Sequence, residues 1–249
     1  MKFVGHIMNV VVIFAGGTGQ RMNTVSKPKQ FLELHGKPII GYTVEHFEKH
    51  PDIDGIIIVC LESWILQCRE LMEKLHIKKI MAIIPGGKTG QESIYFGVRK
   101  AYELCPHDSV VLVHDGVRPI ITEKLISDCI ACTKENGNAI TVSPVVETVV
   151  IKENTRLDSP IREISDRSLC ETAKAPQCFI LEDLYKVHAC SRKKGEMNYI
   201  DSASLMKDYG YTLHRVLGPS ENIKITTPID FYIFRAIMDA KENLQIIGI

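Results

Sequence analysis

Apolar residues recur along this chain in two rhythms. Val10 to Phe14 is a short unbroken run rich in β-branched residues, the pattern of a strand buried on both faces. Comparable runs return at Ile53–Cys60, Lys79–Pro85, Ser109–His114 and Asn138–Pro144. Between them the spacing turns helical. Ile39–Lys49 carries Ile40, Val44 and Phe47 on one stripe, and Trp64–Leu75 carries Ile65, Cys68, Leu71 and Leu75. Ser93–Leu104, Glu123–Lys134 and Leu181–Ser191 read as further helices. Strands alternating with helices predict a three-layer α/β fold around a mostly parallel, Rossmann-like sheet.

The alternation breaks between Pro144 and Cys170. VVETVVI is strand-like, ENTRLDSP is a turn, and IREIS is strand-like again. This predicts a hairpin arm over about 145–170, projecting from one domain that spans 1–249. An isolated hairpin is marginal in water. The arm is therefore expected to pack on a second copy in a symmetric homodimer.

Ligands of such sheets bind beyond the carboxyl ends of the strands, and the residues with chemistry fall there. After the first strand come Ala15, Gly16, Gly17 and Gly19, then Arg21, Lys27 and Lys29. Glycines allow close backbone approach, and successive N–H groups in such a turn cradle anions. Arg21 and Lys29 add full positive charges suited to phosphate oxygens. A glycine loop alone reads equally as a tight turn with solvated lysines. No GK[ST] ending follows, and Met22 stands where a dinucleotide fingerprint needs a small residue.

Gly86-Gly87-Lys88 through Ser93 follows the third strand and opens a helix. Its backbone N–H groups are expected to face a base or ribose, or else Ser93 simply starts the helix. His114-Asp115-Gly116-Val117-Arg118-Pro119 follows the fourth strand. Asp115 there suits Mg²⁺ or a substrate hydroxyl, and Arg118 a phosphate. The plainer reading is an Asx turn and a surface ion pair, with His114 a buried polar anchor. Lys224, between Ile223 and Ile225, reads as lying in a short strand whose alternation turns it away from both isoleucines. Thr227 and Pro228 then read as N-cap and first position of a C-terminal helix. Asp201 reads either as a helix cap or as a metal ligand.

The chain's 249 residues are 45% hydrophobic and 24% charged, and the formal net charge is zero. That suits one large globular domain and gives no broad attraction to nucleic acid or membrane, so any anion site is local. Its eight cysteines are scattered rather than framed. Cys129 and Cys132 fall mid-helix, without the helix-start position of a redox pair or a second pair for zinc. A reducing cytoplasm is expected. Met8 stands just before the first strand, so residues 1–7 read as a dispensable extension, and the apolar run is too short for a signal peptide. No run approaches membrane-spanning length.

Taken in order, these motifs resemble one family. Gly-Gly-x-Gly-x-Arg-Met, Pro-Lys-Gln-Phe-Leu, His-Asp-Gly-Val-Arg-Pro, Pro-Gln-x-Phe and Asn-Ile-Lys-x-Thr-x-Pro-x-Asp are similar to the cytidylyltransferases acting on 2-C-methyl-D-erythritol 4-phosphate or ribitol 5-phosphate. The resemblance runs from about Met8 to Asn243. It implies a nucleotidyltransferase-type fold and a CTP-dependent, Mg²⁺-assisted transfer of CMP to a sugar-alcohol phosphate, releasing pyrophosphate. Arg21, Lys29 and Lys224 would be catalytic. Ala15, Gly16, Gly17, Gly19, Gly87, Lys88 and Ser93 would hold the nucleotide. Asp115, Arg118, Thr148 and Arg167 would hold the acceptor, Arg167 serving the neighbour's site, with Asp115 also at the metal. Gly90 stands where the family has an arginine, and Ala175 where it has a threonine. The Val117 form of the third motif resembles the ribitol branch, so ribitol 5-phosphate is expected over methylerythritol phosphate. A dinucleotide-dependent oxidoreductase is disfavoured, because Glu33 comes too early for the ribose acid. A nucleotide-binding protein without turnover stays open.

Overall fold

A computed structural model describes residues 7–16 and 27–247, with side-chain surroundings given to residue 243. The extension at 1–6 and the loop residues Gly17, Gly19 and Arg21 lie outside the described residues. Strand β1 (Asn9–Ala15) enters first, and a small antiparallel pair, β2 (Glu33–Leu34) and β3 (Lys37–Pro38), follows the cation loop. Then come α1 (Ile39–Lys49), β4 (Gly55–Cys60), α2 (Ile65–Lys74), β5 (Ile80–Pro85), α3 (Gly90–Leu104), β6 (Val110–Asp115), α4 (Glu123–Asn136) and β7 (Asn138–Pro144). The arm holds β8 (Val150–Lys152) and β9 (Ile161–Ile164). The chain closes with β10 (Glu171–Ile180), α5 (Leu181–Lys194), α6 (Ser202–Asp208), β11 (Arg215–Leu217) and α7 (Pro228–Ile247).

The main sheet has seven strands in the order β11-β7-β10-β6-β1-β4-β5. All run parallel except β10, which is antiparallel to both β6 and β7. Its direction follows from the arm. The chain leaves the sheet at Pro144 and returns at Glu171, its register partner, so it must run back the opposite way.

Strand alternation sorts the core into two layers. Val11, Ile13 and Ala15 of β1 pack under α1, α2 and α4 through Val44, Phe47, Met72 and Ile126. Val10 and Val12 pack under α3, α5 and α6 through Val98, Leu184 and Leu205. Burial on both faces is what makes these strands continuous apolar runs. A third, smaller cluster of Leu34, Ile39, Val117, Ile120, Ile225 and Phe234 seats α7 beside the carboxyl edge of the sheet.

Three expectations are corrected. Lys224 lies outside any strand, although Ile225 is buried and Lys224 is not. The segment holds on by one backbone bond, Ile225 N–H to the Val117 carbonyl at 2.9 Å. Helix α3 starts at Gly90 rather than Ser93, because the Thr89 hydroxyl caps it by accepting from Glu92 N–H. Thr227 does not cap α7 with its hydroxyl. Instead Asp230 accepts from the N–H groups of Thr226 and Thr227 and from both hydroxyls. Cys129 lies buried inside α4 as a packing residue, and Asp201 caps α6 by accepting from Ser204 N–H.

Two buried histidines are held neutral. His114 packs edge-on against Phe47 and its Nε2 lies 3.2 Å from the Arg118 carbonyl. Burial above all pushes its pKa down to about 4. His188, in α5, is pushed down to about 4 by burial and then by the Arg192 charge. Neither of its ring nitrogens has a hydrogen-bond partner among the described residues. An unfolded histidine titrates near 6.5, so as pH falls the unfolded chain takes up the proton first. Stability is therefore lost between about pH 6.5 and 4, by about 3 kcal/mol per histidine. The variant His188→Leu is expected to lose about 3 kcal/mol less between pH 7 and pH 4 than the parent. Urea melts across that range, with parallel curves for parent and variant, would contradict it.

Candidate active site

The carboxyl edge of the parallel strands carries two hollows with a common wall. The first, about 350 Å³, is lined by Ala15, Gly16, Lys29, Gly87, Lys88 and Ser93 among others. The second, about 260 Å³, includes Arg118, Lys174, Ala175, Gln177 and Asp201. Phe14, Gly90, Asp115 and Lys224 line both.

Each side chain is placed by a local reason. Gln30, almost fully buried, donates to the Ala15 carbonyl and ties the cation loop to the end of β1. Phe31 beside it stacks on Trp64 with centroids 4.6 Å apart. These contacts set Lys29 over the first hollow. Gly16 and Gly86 come close there, and a Cβ on either would meet the Ser93 hydroxyl at 3.1 and 2.9 Å. Glycine is needed for that approach rather than for a turn. The N-terminus of α3 opens onto the same hollow and presents the positive end of its dipole.

The expected N–H donors of this segment are already engaged. Gly87 N–H donates to Ser93 Oγ at 3.0 Å, and Lys88 N–H to Glu92 Oε2 at 2.8 Å. Both residues line the hollow, but capping satisfies these two donors. Thr89 and Glu92 form most of a capping box, a pattern legible in the sequence.

At the common wall Asp115 Oδ1 lies 2.5 Å from Lys224 Nζ, and Oδ2 lies 2.8 Å from Arg118 Nε. The carboxylate is buried, with its side chain 8% exposed. Burial alone would raise its pKa, but the Lys224 and Arg118 charges outweigh burial and hold it below the usual carboxylate range. Arg118 Nη1 also donates to the Asn222 carbonyl at 2.9 Å, and Asn222 Nδ2 to the Ala175 carbonyl at 2.7 Å. One chain of bonds thus joins β6, the segment before α7, and the start of β10.

Asp115, expected also at the metal, makes two ion pairs here. Both oxygens face cations, so a divalent ion there would meet two positive charges within ion-pair distance. Among the described residues one group with metal-ligand chemistry occurs, His35, Asp239 and Glu242, and none of these lines either hollow. Asp201 serves α6 and accepts from Gln177 Nε2 at 2.8 Å.

Thr148 and Arg167 are not brought to this cleft. Both are exposed, and Arg167 Nη1 donates to the Val146 carbonyl at 2.8 Å, beside a separate hollow at the arm's base. Gln177 entered the sequence reading only within the Pro-Gln-x-Phe motif, and neither it nor Lys174 was assigned a role. They lie in β10, where the pattern gives no sign of a strand.

Comparison with known proteins agrees with this architecture. The family model described as IspD, 2-C-methyl-D-erythritol 4-phosphate cytidylyltransferase, matches residues 9–240. The chain belongs to this family. It is 52% identical over 97% of its length, and 100% of the relative, to a ribitol-5-phosphate cytidylyltransferase of Vibrio parahaemolyticus. It is 48% identical, with the same coverage, to one of Streptococcus agalactiae. A 2-C-methyl-D-erythritol 4-phosphate cytidylyltransferase of Clostridium botulinum is 36% identical over 93% of this chain and 97% of that one. A solved structure of 4-diphosphocytidyl-2C-methyl-D-erythritol synthase from Anaerococcus prevotii superposes with a TM-score of 0.79. It is 25% identical, and the match covers 94% of this chain and 96% of that one. The mostly parallel sheet is thus that of a family of nucleotidyltransferases. No described helix is long and apolar enough to cross a membrane.

Asp115→Asn leaves Arg118, only 11% exposed, and Lys224 without their counter-charge. A loss of about 3 kcal/mol in unfolding free energy at pH 7 is expected. Because the parent carboxyl is held low, its contribution is present at neutral pH and lost as pH falls below the ordinary carboxylate range. Denaturant titration at pH 7 and pH 3 should show the gap between parent and variant closing on acidification.

Proposed function

We propose that this protein transfers CMP from CTP to D-ribitol 5-phosphate, giving CDP-ribitol and pyrophosphate. The observation that carries the reading is the convergence of Lys29, Lys88 and Lys224, from three separate segments, on one hollow at the carboxyl edge of the sheet. The choice of acceptor is supported by the ribitol-5-phosphate names of relatives at 52% and 48% identity, against 36% for the methylerythritol-named relative.

In this reading an acceptor phosphate oxygen attacks the α-phosphorus of CTP. The bond from that phosphorus to the β-phosphate oxygen breaks, and pyrophosphate leaves. Both reactants are anions, so repulsion and the charge growing on the phosphorus set the barrier. Lys29, Lys224 and, from the loop outside the described residues, Arg21 offset that charge. Ala15, Gly16, Gly87, Lys88 and Ser93, with Gly17 and Gly19, frame the nucleotide. Asp115 and Arg118 face the acceptor, and Asp115 also fixes where Lys224 points. A phosphate is largely ionised near neutral pH, so no general base is required. A divalent cation such as Mg²⁺, bound with CTP, would supply further positive charge against the phosphates. The reaction belongs to the reducing cytoplasm, where thiols such as these eight persist.

The single domain acts as a homodimer in this proposal. The arm exposes Val146, Val150, Leu157, Ile161, Ile164 and Leu169, an apolar surface that calls for cover. A second copy covers it and receives Thr148 and Arg167 at its acceptor hollow.

Pyrophosphate release with CTP and ribitol 5-phosphate, methylerythritol 4-phosphate or glycerol 3-phosphate tests the assignment. Ribitol 5-phosphate should give the highest kcat/KM, and release with none of them defeats it. Lys224→Ala should cost about 10²-fold or more in kcat. Mixing Lys224→Ala with Arg167→Ala subunits should restore turnover, because one mixed site regains both side chains; unchanged inactivity of the mixture would refute the shared site.

A further inference from the structure

Strand β10 is interrupted where it passes the second hollow. Ala173 pairs with Val142 and Gln177 with Ile140, so Thr141 alone opposes Lys174, Ala175 and Pro176. Two extra residues therefore bulge from the ladder, in a strand that Pro176 could not otherwise join. The bulge is pinned from both sides by buried groups. Thr141 Oγ1 donates to the Pro176 carbonyl at 2.7 Å, and Asn222 Nδ2 to the Ala175 carbonyl at 2.7 Å. Consecutive residues 173, 174 and 175 all line the hollow, which regular alternation would forbid.

We propose that Lys174 is a specificity-determining residue that binds the hydroxyl-bearing tail of the acceptor. The inference rests on the cytidylyltransferase reading above. Lys224 and Asp115 stand in the wall common to both hollows, so the reacting phosphate sits there. The first hollow takes the nucleotide, which leaves the second for the rest of the acceptor. Lys174 lines only that second hollow, together with Asp201 and Gln177. Its ammonium donates to the Ser220 carbonyl at 3.0 Å and lies 3.5 Å from the Pro219 carbonyl. An ammonium has three donors, so one is left for a hydroxyl oxygen. Burial, then the nearby Arg118 charge, hold its pKa below the usual lysine value, which fits a cation facing an enclosed space. Polyol hydroxyls both donate and accept, matching lysine and arginine donors set beside the Asp201 carboxylate. Alanines at 173 and 175 keep the space above the bulge clear of bulky side chains.

The test compares the parent with Lys174→Met and Lys174→Gln in steady-state pyrophosphate release. Glycerol 3-phosphate, two CHOH units shorter than ribitol 5-phosphate, probes the contacts nearest the phosphate and is used as a competitive inhibitor. Lys174→Met is expected to raise KM for ribitol 5-phosphate about tenfold or more, the scale of one charged hydrogen bond. The kcat, the KM for CTP and the inhibition constant of glycerol 3-phosphate should stay within about twofold. Lys174→Gln, which keeps a donor, should recover part of the loss. An unchanged KM for ribitol 5-phosphate overturns the inference. So does an equal loss towards glycerol 3-phosphate or CTP with a lowered Tm, because Lys174 would then only brace the 219–220 backbone. Parent protein that is silent with every alcohol phosphate defeats the functional reading itself, whereas active parent with indifferent variants defeats only this assignment.

Discussion

The cleft depends on one carboxylate held between two cations. Asp115 ends the buried strand β6, and its oxygens draw Arg118 from the following turn and Lys224 from a segment more than a hundred residues later. Each cation brings backbone with it. Arg118 reaches the Asn222 carbonyl, and Asn222 reaches Ala175 in β10. A charge removed from water is costly unless paired and hydrogen-bonded, so these groups have few alternative arrangements. Three segments with no sequence proximity are thereby registered against one another. The backbone around Lys224 lacks strand pairing, and this ion pair together with the Ile225–Val117 backbone bond takes its place.

The electrostatic logic of the cleft follows from that registration. The chain as a whole carries no net charge, yet its basic side chains gather at one edge of the sheet. They do so from the cation loop, from the N-terminus of α3 and from the stretch before α7. Field from such a cluster acts within about a Debye length, so an overall neutral protein can still attract a triphosphate locally. Asp115 moderates the cluster. It fixes where Lys224 and Arg118 stand, and preorganised charge is what favours a transition state.

Much of this was legible in the chain because it is local. Helix α1 appears where its stripe of Ile40, Val44 and Phe47 places it, and β7 keeps its expected bounds. Alternation of buried runs with amphipathic ones was sufficient for the sheet's parallel part. The misses share a cause. Strand β10 has a lysine, a proline and a bulge between Ala173 and Gln177, so its ten residues show no period. It becomes a strand only because β6 and β7 flank it. The engagement of Gly87 and Lys88 N–H by α3's own cap was readable from Thr89 and Glu92, but glycines beside a lysine drew attention to ligands instead. The pairing of Asp115 with Lys224 has no sequence signature, since spacing along the chain says nothing about it. Together with the Arg118 pair it engages both oxygens of an acid that, in isolation at a strand end, looks like a metal ligand.

The position of the arm has an evolutionary corollary. Its two ends, Pro144 and Glu171, are register partners, so the sheet sees only a closed pair of neighbouring strands. Lengthening a loop whose ends are already held together adds little entropic cost. Insertions, deletions and recolouring of the arm's apolar residues can therefore accumulate without moving Lys224 or Asp115. A lineage can remodel the arm's surface on a different schedule from the chemistry of its cleft.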